Sequence, residues 1–208
     1  MKVTLINYPH LPGDEIAGIA AAICTGSDNR ERALNHAMDS GHASIAEHAT
    51  YTFLVEGVSR VLLAQLTRHR IASFSVQSQR YCGANMDLVV PDSMACADLL
   101  DEIIEVKKAV RKLYDKATGI GVPAEDARYF TLQAGKTNLI VTMNARELLH
   151  FFELRCCNRA QWEIRAMAWA MLAEVRKIAP RLFQDAGAPC MHGTCPEKRP
   201  CGKPYAKE

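Results

Sequence analysis

The sequence has no Gly-x-Gly-x-x-Gly fingerprint, no internal repeat, and no apolar run near the roughly 18 residues needed to span a bilayer. Each absence removes a class of protein. Without the glycine fingerprint, the turn that brings backbone amides onto a pyrophosphate in dinucleotide-binding βαβ units is missing. Without the apolar run no membrane span is expected. The opening Met1–Tyr8 is too short for the apolar centre of a secretory signal and leads into a Pro-Gly turn, so a soluble, cytoplasmic protein is expected. The net charge of +2 is too small for the broad basic surface of a nucleic-acid binder. The 208 residues amount to about one domain, and 49% hydrophobic and 23% charged residues are ordinary globular values. No low-complexity linker occurs before Pro189, which suggests a domain over residues 1–185 and a Cys/Pro-rich tail over 186–208. The eight cysteines are expected to be reduced thiols, with Cys24, Cys82, Cys96, Cys156 and Cys157 as small core fillers.

Local patterns predict a strand over Lys2–Asn7, a helix over Asp14–Cys24, and a second helix over Asn29–Ser40. The second helix has Ser27 or Asp28 as N-cap and Gly41 at its end. Alternation places a strand over Thr50–Val58 with Tyr51, Phe53 and Val55 on one side. Ser59 is placed to cap a short helix ending near Thr67, and extended chain follows over Ser73–Gln77. A long amphipathic helix after Pro91-Asp92-Ser93 runs to Gly119, with Leu99, Ile103, Val106, Val110 and Leu113 expected on a buried face. Pro123 suits the start of another short helix. A strand over Asn138–Met143, an Asn144-capped helix from Ala145 to Cys156 and a last helix over Gln161–Ile178 complete the list. This order gives a mixed α+β domain, not a βαβ repeat.

The most informative stretch is Arg68–Tyr81, which gathers Arg68, His69, Arg70 and Arg80 with Ser73, Ser75 and Ser78 among few acidic residues. Guanidinium groups offer a planar fork matched to phosphate and carboxylate and stay charged at physiological pH. A solvated basic face is the simpler alternative. Apolar Val61, Leu62, Leu63 and Leu66 on one side and Phe74 and Val76 on the other favour a cluster held in place as a site for a small anion.

Three further groups stand out. His42, Ser44, Glu47 and His48 lie on a helix-to-strand connection and are either metal ligands or a capped turn, and their spacing fits no closed zinc pattern. Arg146 and His150 share one face at the start of a helix, and Arg155 follows among Phe151, Phe152 and Leu154. A cation in such a run needs a partner: a bound ligand on the functional reading, or Glu153 or Glu163 on the simpler one. Arg128 reads by itself as a surface ion pair. In the tail, Cys190, His192, Cys195 and Cys201 permit a zinc site, but loose chain is the favoured reading.

Arg68-His69-Arg70, then seven residues and Ser78, resembles the signature of the flavin-dependent (alternative) thymidylate synthases. The resemblance continues through Gly41-His42, Glu47-His48, Glu56-Gly57-Val58-Ser59-Arg60, Gln65, Asn144-Ala145-Arg146, Arg155 and Gln161-Trp162-Glu163-Ile164, in the family's order. It implies a mainly antiparallel sheet among helices and a homotetramer whose active sites form where subunits meet. It also implies reductive methylation of dUMP to dTMP, with FAD reduced by NADPH and 5,10-methylenetetrahydrofolate as carbon donor. By the same resemblance, FAD would meet Ser44, Glu47, Arg68, His69, Arg70, Val76, Asn144, Ala145, Arg146 and His150, with His42 nearby. dUMP would meet Gln65, Leu66, Thr67, Arg68, Val76, Gln77, Ser78, Gln79, Arg80, Arg128 and Arg155, with Arg80 and Arg128 on the phosphate. Arg155 would contact the uracil and support charge at N3. Two positions depart from the family's pattern: His150 replaces a frequent asparagine, and Val76 replaces a glutamate.

These roles agree with elementary chemistry. Activating C5 of uracil places negative charge on the ring carbonyls and N3, and a fixed guanidinium stabilises it without losing its own proton. Ser78 has no evident base to make it a nucleophile and reads as a dUMP ligand, and a catalytic role for Cys82 is disfavoured. Rival readings are a nucleotide-sensing regulator that uses the arginine cluster without chemistry, and a metal-dependent hydrolase built on His42, Glu47 and His48.

Overall fold

The computed structural model describes residues 1–206. Four strands, β1 (Lys2–Asn7), β2 (Thr50–Ser59), β3 (Ala72–Val76) and β4 (Lys136–Asn144), form one antiparallel sheet in the order β1-β2-β4-β3. The helices are α1 (Gly13–Thr25), α2 (Arg30–Asp39), α3 (Arg60–Leu66), α4 (Asp92–Ala95), α5 (Leu100–Gly119), α6 (Ala124–Ala127), α7 (Ala145–Arg155) and α8 (Trp162–Ile178). The α+β class is as the sequence predicts.

Alternation builds the core. Tyr51, Phe53 and Val55 on β2 stand beside Met143, Val141 and Leu139 on β4, and all are buried with Phe151, Phe152, Met167 and Met171 of α7 and α8. Phe183 closes this layer edge-to-face against Tyr51 and Phe152, at centroid distances of 5.6 and 6.0 Å. Asp14, at the start of α1, accepts from the backbone N–H groups of Arg181 and Leu182 at 2.9 and 2.8 Å, which ties the first helix to the chain beyond α8.

Local signals set the junctions that carry the site. Gly57 has φ 70° where β2 shifts register, and its N–H donates to Asn138 Oδ1 at 2.9 Å. The bulge turns the chain so that Ser59, whose Oγ accepts from Leu62 N–H at 3.0 Å, can open α3. An alanine at 57 must hold a left-handed backbone. Gly57→Ala is expected to cost about 1–3 kcal/mol of stability, read as a lower urea midpoint; an unchanged midpoint would contradict this.

Several expectations are corrected. α2 is capped by Asn29, which accepts from Arg32 N–H, and not by Ser27 or Asp28. The helix expected from Ser93 to Gly119 is split into α4 and α5, because Asp98 takes a left-handed φ of 56° between them. No residue of α5 is buried: Ile103 and Val110 are half-buried, as is Leu99 just before the helix, and Val106 and Leu113 are 50% and 49% exposed. Amphipathic spacing marks an apolar stripe but does not say that the same chain covers it. Of the presumed core cysteines only Cys156 is buried; Cys24, Cys82 and Cys96 are exposed and Cys157 is half-buried.

The tail carries one 3-10 turn, Pro189–Met191, with Met191 buried. It lies along the end of α7 and along α8: Asn158 Nδ2 donates to the Lys203 carbonyl at 2.6 Å, and Trp169 stacks edge-on with Tyr205 at 5.2 Å. Among the described residues, no three His, Cys, Asp or Glu side chains stand together as a metal-holding group, neither around His42, Glu47 and His48 nor in the tail. Among the described residues no helix is long and apolar enough to cross a membrane.

Candidate active site

The sheet sorts the basic residues into two groups. β3 runs antiparallel to β4, with Ala72 opposite Met143 and Val76 opposite Leu139. The turn Arg68–Arg70, just before β3, therefore lies at the end of the sheet where β4 passes into α7. The segment Gln77–Arg80, just after β3, lies at the other end. The five residues of β3 set these ends about 13 Å apart, at roughly 3.3 Å per residue.

At the first end, α3 runs out through Thr67 into a turn in which the N–H groups of Arg68 and His69 donate to the carbonyls of Gln65 and Leu66. Arg68 and Arg70 are exposed. Across from them, Asn144 Oδ1 accepts from Glu147 N–H at 2.9 Å and opens α7, as its sequence predicts. Arg146, exposed on the first turn of α7, pairs with Glu47 from the 3-10 turn Ala43–His48, where Ser44 is also exposed. His150, one turn beyond Arg146, is exposed, with its ring centroid 6.1 Å from that of His69.

His69 is the exception in this group, being only 5% exposed. Its Nδ1 lies 3.0 Å from Oε1 of Glu147, and its Nε2 accepts from Nε–H of Arg155 at 3.0 Å. Phe151 packs edge-on against the ring at 5.0 Å. An imidazole nitrogen that accepts has no proton, so the ring proton sits on Nδ1 and donates to Glu147. Burial pushes the imidazole pKa below its ordinary value, with Arg155 and His150 acting the same way and the Glu147 contact opposing them. The direction agrees with a neutral ring. Arg155 is half-buried, and burial together with the nearby Arg68 lowers its pKa too, though a guanidinium remains charged. The side-chain partner of Arg155 is thus His69, and not Glu153 or Glu163 as on the simpler reading. Glu163 instead holds Ser59, whose backbone N–H donates to its Oε1 at 2.7 Å.

At the second end, Arg80 Nε pairs with Glu125 Oε2 at 2.7 Å, and Arg128 Nε donates to the Glu125 carbonyl at 3.2 Å. Gln79 donates to Thr131 Oγ1 at 3.3 Å, and Thr131 Oγ1 donates to the Arg128 carbonyl at 2.8 Å. The Arg80 N–H donates to Ser78 Oγ at 3.1 Å, and Asn138 Nδ2 donates to Gln77 Oε1 at 3.1 Å. Arg60 faces this group: burial, then the charge of Arg128, lowers its pKa.

Several predicted ligands turn their side chains elsewhere. Leu66 and Ala145 are fully buried, and Val76 packs on the core with Ala72 and Phe74. Thr67 Oγ1 donates back to the Leu63 carbonyl at 3.0 Å, while Gln65 is half-buried. Sequence reasoning missed Glu147, Glu125 and Arg60. Glu147 sits three residues after the Asn144 cap, where an acidic residue reads as an ordinary capping feature. Arg155 also lines a cavity of about 670 Å³ shared with Cys157, Arg159, Cys195 and Tyr205, between the end of α7 and the tail.

Residues 4–181 match the profile of the family described as thymidylate synthase complementing protein. The chain is 46% identical to a flavin-dependent thymidylate synthase of Geobacter sulfurreducens, covering 98% of this chain and 94% of that one. It is 42% identical to one of Pyrococcus furiosus, covering 95% and 90%. Its fold is similar to the crystal structure of the UMP/dUMP methylase PolB from Streptomyces cacaoi bound with 5-Br dUMP. That match has a TM-score of 0.78 and 24% identity, over 88% of this chain and 93% of that one.

Proposed function

Since the chain belongs to the flavin-dependent thymidylate synthase family, we propose that it converts dUMP to dTMP, using FAD, NADPH and 5,10-methylenetetrahydrofolate. The observation that carries this reading is Arg155: a half-buried guanidinium held through Nε by an imidazole, with its two Nη groups as the remaining donors. Such a group suits the charge that gathers on the uracil N3 and carbonyls when C5 becomes nucleophilic.

The donor set fits a flavin dinucleotide at the first end of the sheet. Arg68, Arg70 and Arg146 are exposed cations suited to a pyrophosphate, and Ser44 and His150 are exposed polar groups beside them. His69 would contribute there through its backbone, because its ring is engaged on both sides. Bound there, FAD reduced by NADPH supplies the reducing equivalents that turn the transferred methylene into a methyl group. The chain's own residues bind and orient: Arg80 and Arg128 take the dUMP phosphate, Ser78 and Gln79 hold the nucleotide beside them, and Arg155 faces the base.

The base site at the first end of β3 and the phosphate site at the second are separate groups on the chain, and by the family resemblance each active site forms where subunits meet. We take the active site to be shared, with one chain giving its Arg68–Arg70 end and another its Val76–Arg80 end, in a homotetramer. The half-exposed apolar stripe of α5 supports such packing. The test is tritium release from C5-labelled dUMP by the purified protein. Release accompanied by dTMP, dependent on NADPH and the folate, is expected from a species four times the 23.0 kDa chain. No release with any reductant, or full turnover by a monomer, would overturn this reading.

A further inference from the structure

We infer that Glu147 and His69 are positioning residues for the reaction: the carboxylate holds the imidazole so that its Nε2 lone pair anchors Arg155 through Nε, leaving the guanidinium fork aimed at the substrate. This rests on the function proposed above and deepens it at one site.

The geometry is a linear chain of three groups from two elements. Glu147 and Arg155 stand on α7, two turns apart, and His69 enters from the turn before β3. Both bonds are 3.0 Å, and both inner groups are enclosed, with Glu147 7% and His69 5% exposed. An isolated buried carboxylate is costly, and this one has one side-chain partner named here, the imidazole. That partner cannot be rotated freely, because Phe151 lies edge-on against the ring.

The chemistry runs in one direction. Glu147 is an acceptor, so it selects the tautomer with hydrogen on Nδ1, and that tautomer leaves Nε2 able to accept from Arg155. An imidazolium would have no lone pair for Arg155 and would add repulsion to it. The charged and titratable groups facing the ring are Glu147, His150 and Arg155, with Arg68 beyond Arg155. Three of these four are cationic or can become so, which opposes protonation of the ring. A guanidinium has five N–H donors; anchoring through Nε fixes its plane and leaves both Nη groups to meet a planar ring. Orientation is what a long, flexible arginine otherwise lacks, and holding it beforehand spares that ordering during the reaction.

Two measurements test this. Glu147→Gln is expected to lower kcat for dTMP formation about tenfold or more, because the amide can present N–H to Nδ1 and reverse the tautomer. Bound FAD should be unchanged, and KM for dUMP should move less than kcat. Wild-type turnover in a folded Glu147→Gln protein would overturn the inference. The second measurement needs no variant and stands if Glu147→Gln fails to fold. In ¹⁵N-histidine spectra of the flavin-loaded wild-type protein, the His69 ring, identified by its closeness to the Phe151 ring, should carry an N–H protected from solvent exchange. Its shifts at pH 7 should place hydrogen on Nδ1 and a bare lone pair on Nε2. A protected ring carrying hydrogen on Nε2, or on both nitrogens, would overturn the inference. Failure of the functional reading would show separately, as no dTMP from the wild-type protein.

Discussion

Arg155→Ala is expected to reduce dTMP formation by about 10²–10³-fold or more while leaving FAD bound. The substitution removes the guanidinium proposed to face the uracil, and no neighbouring cation is placed to replace it. Arg68 is close enough to lower the Arg155 pKa, but it is exposed on the turn and proposed for the cofactor. Flavin content should hold because the cations at the sheet end, Arg68, Arg70 and Arg146, remain. Folding should hold as well, since Arg155 is half-buried and at the last position of α7. The change does leave His69 Nε2 without its donor, a cost of about 1–3 kcal/mol if water cannot enter. Turnover, flavin absorbance and thermal midpoint measured together separate these effects. Full turnover in Arg155→Ala would remove the residue from the chemistry.

Arg80→Ala is expected to weaken dUMP binding by about 30-fold, the equivalent of about 2 kcal/mol for a charge-assisted contact with phosphate. In the free chain Arg80 pairs with Glu125 at 2.7 Å, but the two side chains are 57% and 43% exposed. An exposed ion pair contributes little to stability. The loss should therefore appear in the dUMP dissociation constant and not in the thermal midpoint, and kcat at saturating dUMP should be largely retained. An unchanged dissociation constant would exclude Arg80 from the phosphate site. The two variants together also report on subunit sharing. Arg155 belongs to the first end of β3 and Arg80 to the second, so tetramers reassembled from an Arg155→Ala/Arg80→Ala mixture should contain some intact sites. At dUMP concentrations too low for the Arg80→Ala parent, they should regain activity that neither parent shows. No regain would place both residues in one chain's site.

Features set by near neighbours were legible in the sequence. Ser59 and Asn144 cap helices because each meets a backbone N–H three residues ahead, and Tyr51, Phe53 and Val55 alternate because a strand does. The Arg68–Arg70 motif falls on the turn between α3 and β3, with both arginines exposed. Features set by distant neighbours were not legible. The simpler reading paired Arg155 with a carboxylate two or eight residues away, while its partner His69 is 86 residues distant in sequence. Glu147 was missed because nothing local announces that it meets His69. The stripe on α5 read as buried because periodicity encodes a face and not its cover. Cys24, Cys82 and Cys96 were put inside on their mostly apolar sequence neighbours, although a small thiol is tolerated on either side of the surface.

The carboxylate of Asp14 joins residues 167 and 168 positions apart, and this has a consequence for the newborn chain. During synthesis the first helix has no clamp until the segment beyond α8 leaves the ribosome. Until then Phe183 is also missing from its place against Tyr51 and Phe152. A chain stalled inside α8 thus presents an open aromatic layer, the kind of surface that chaperones and proteases engage. Emergence of Arg181, Leu182 and Phe183 is what allows the molecule to shut.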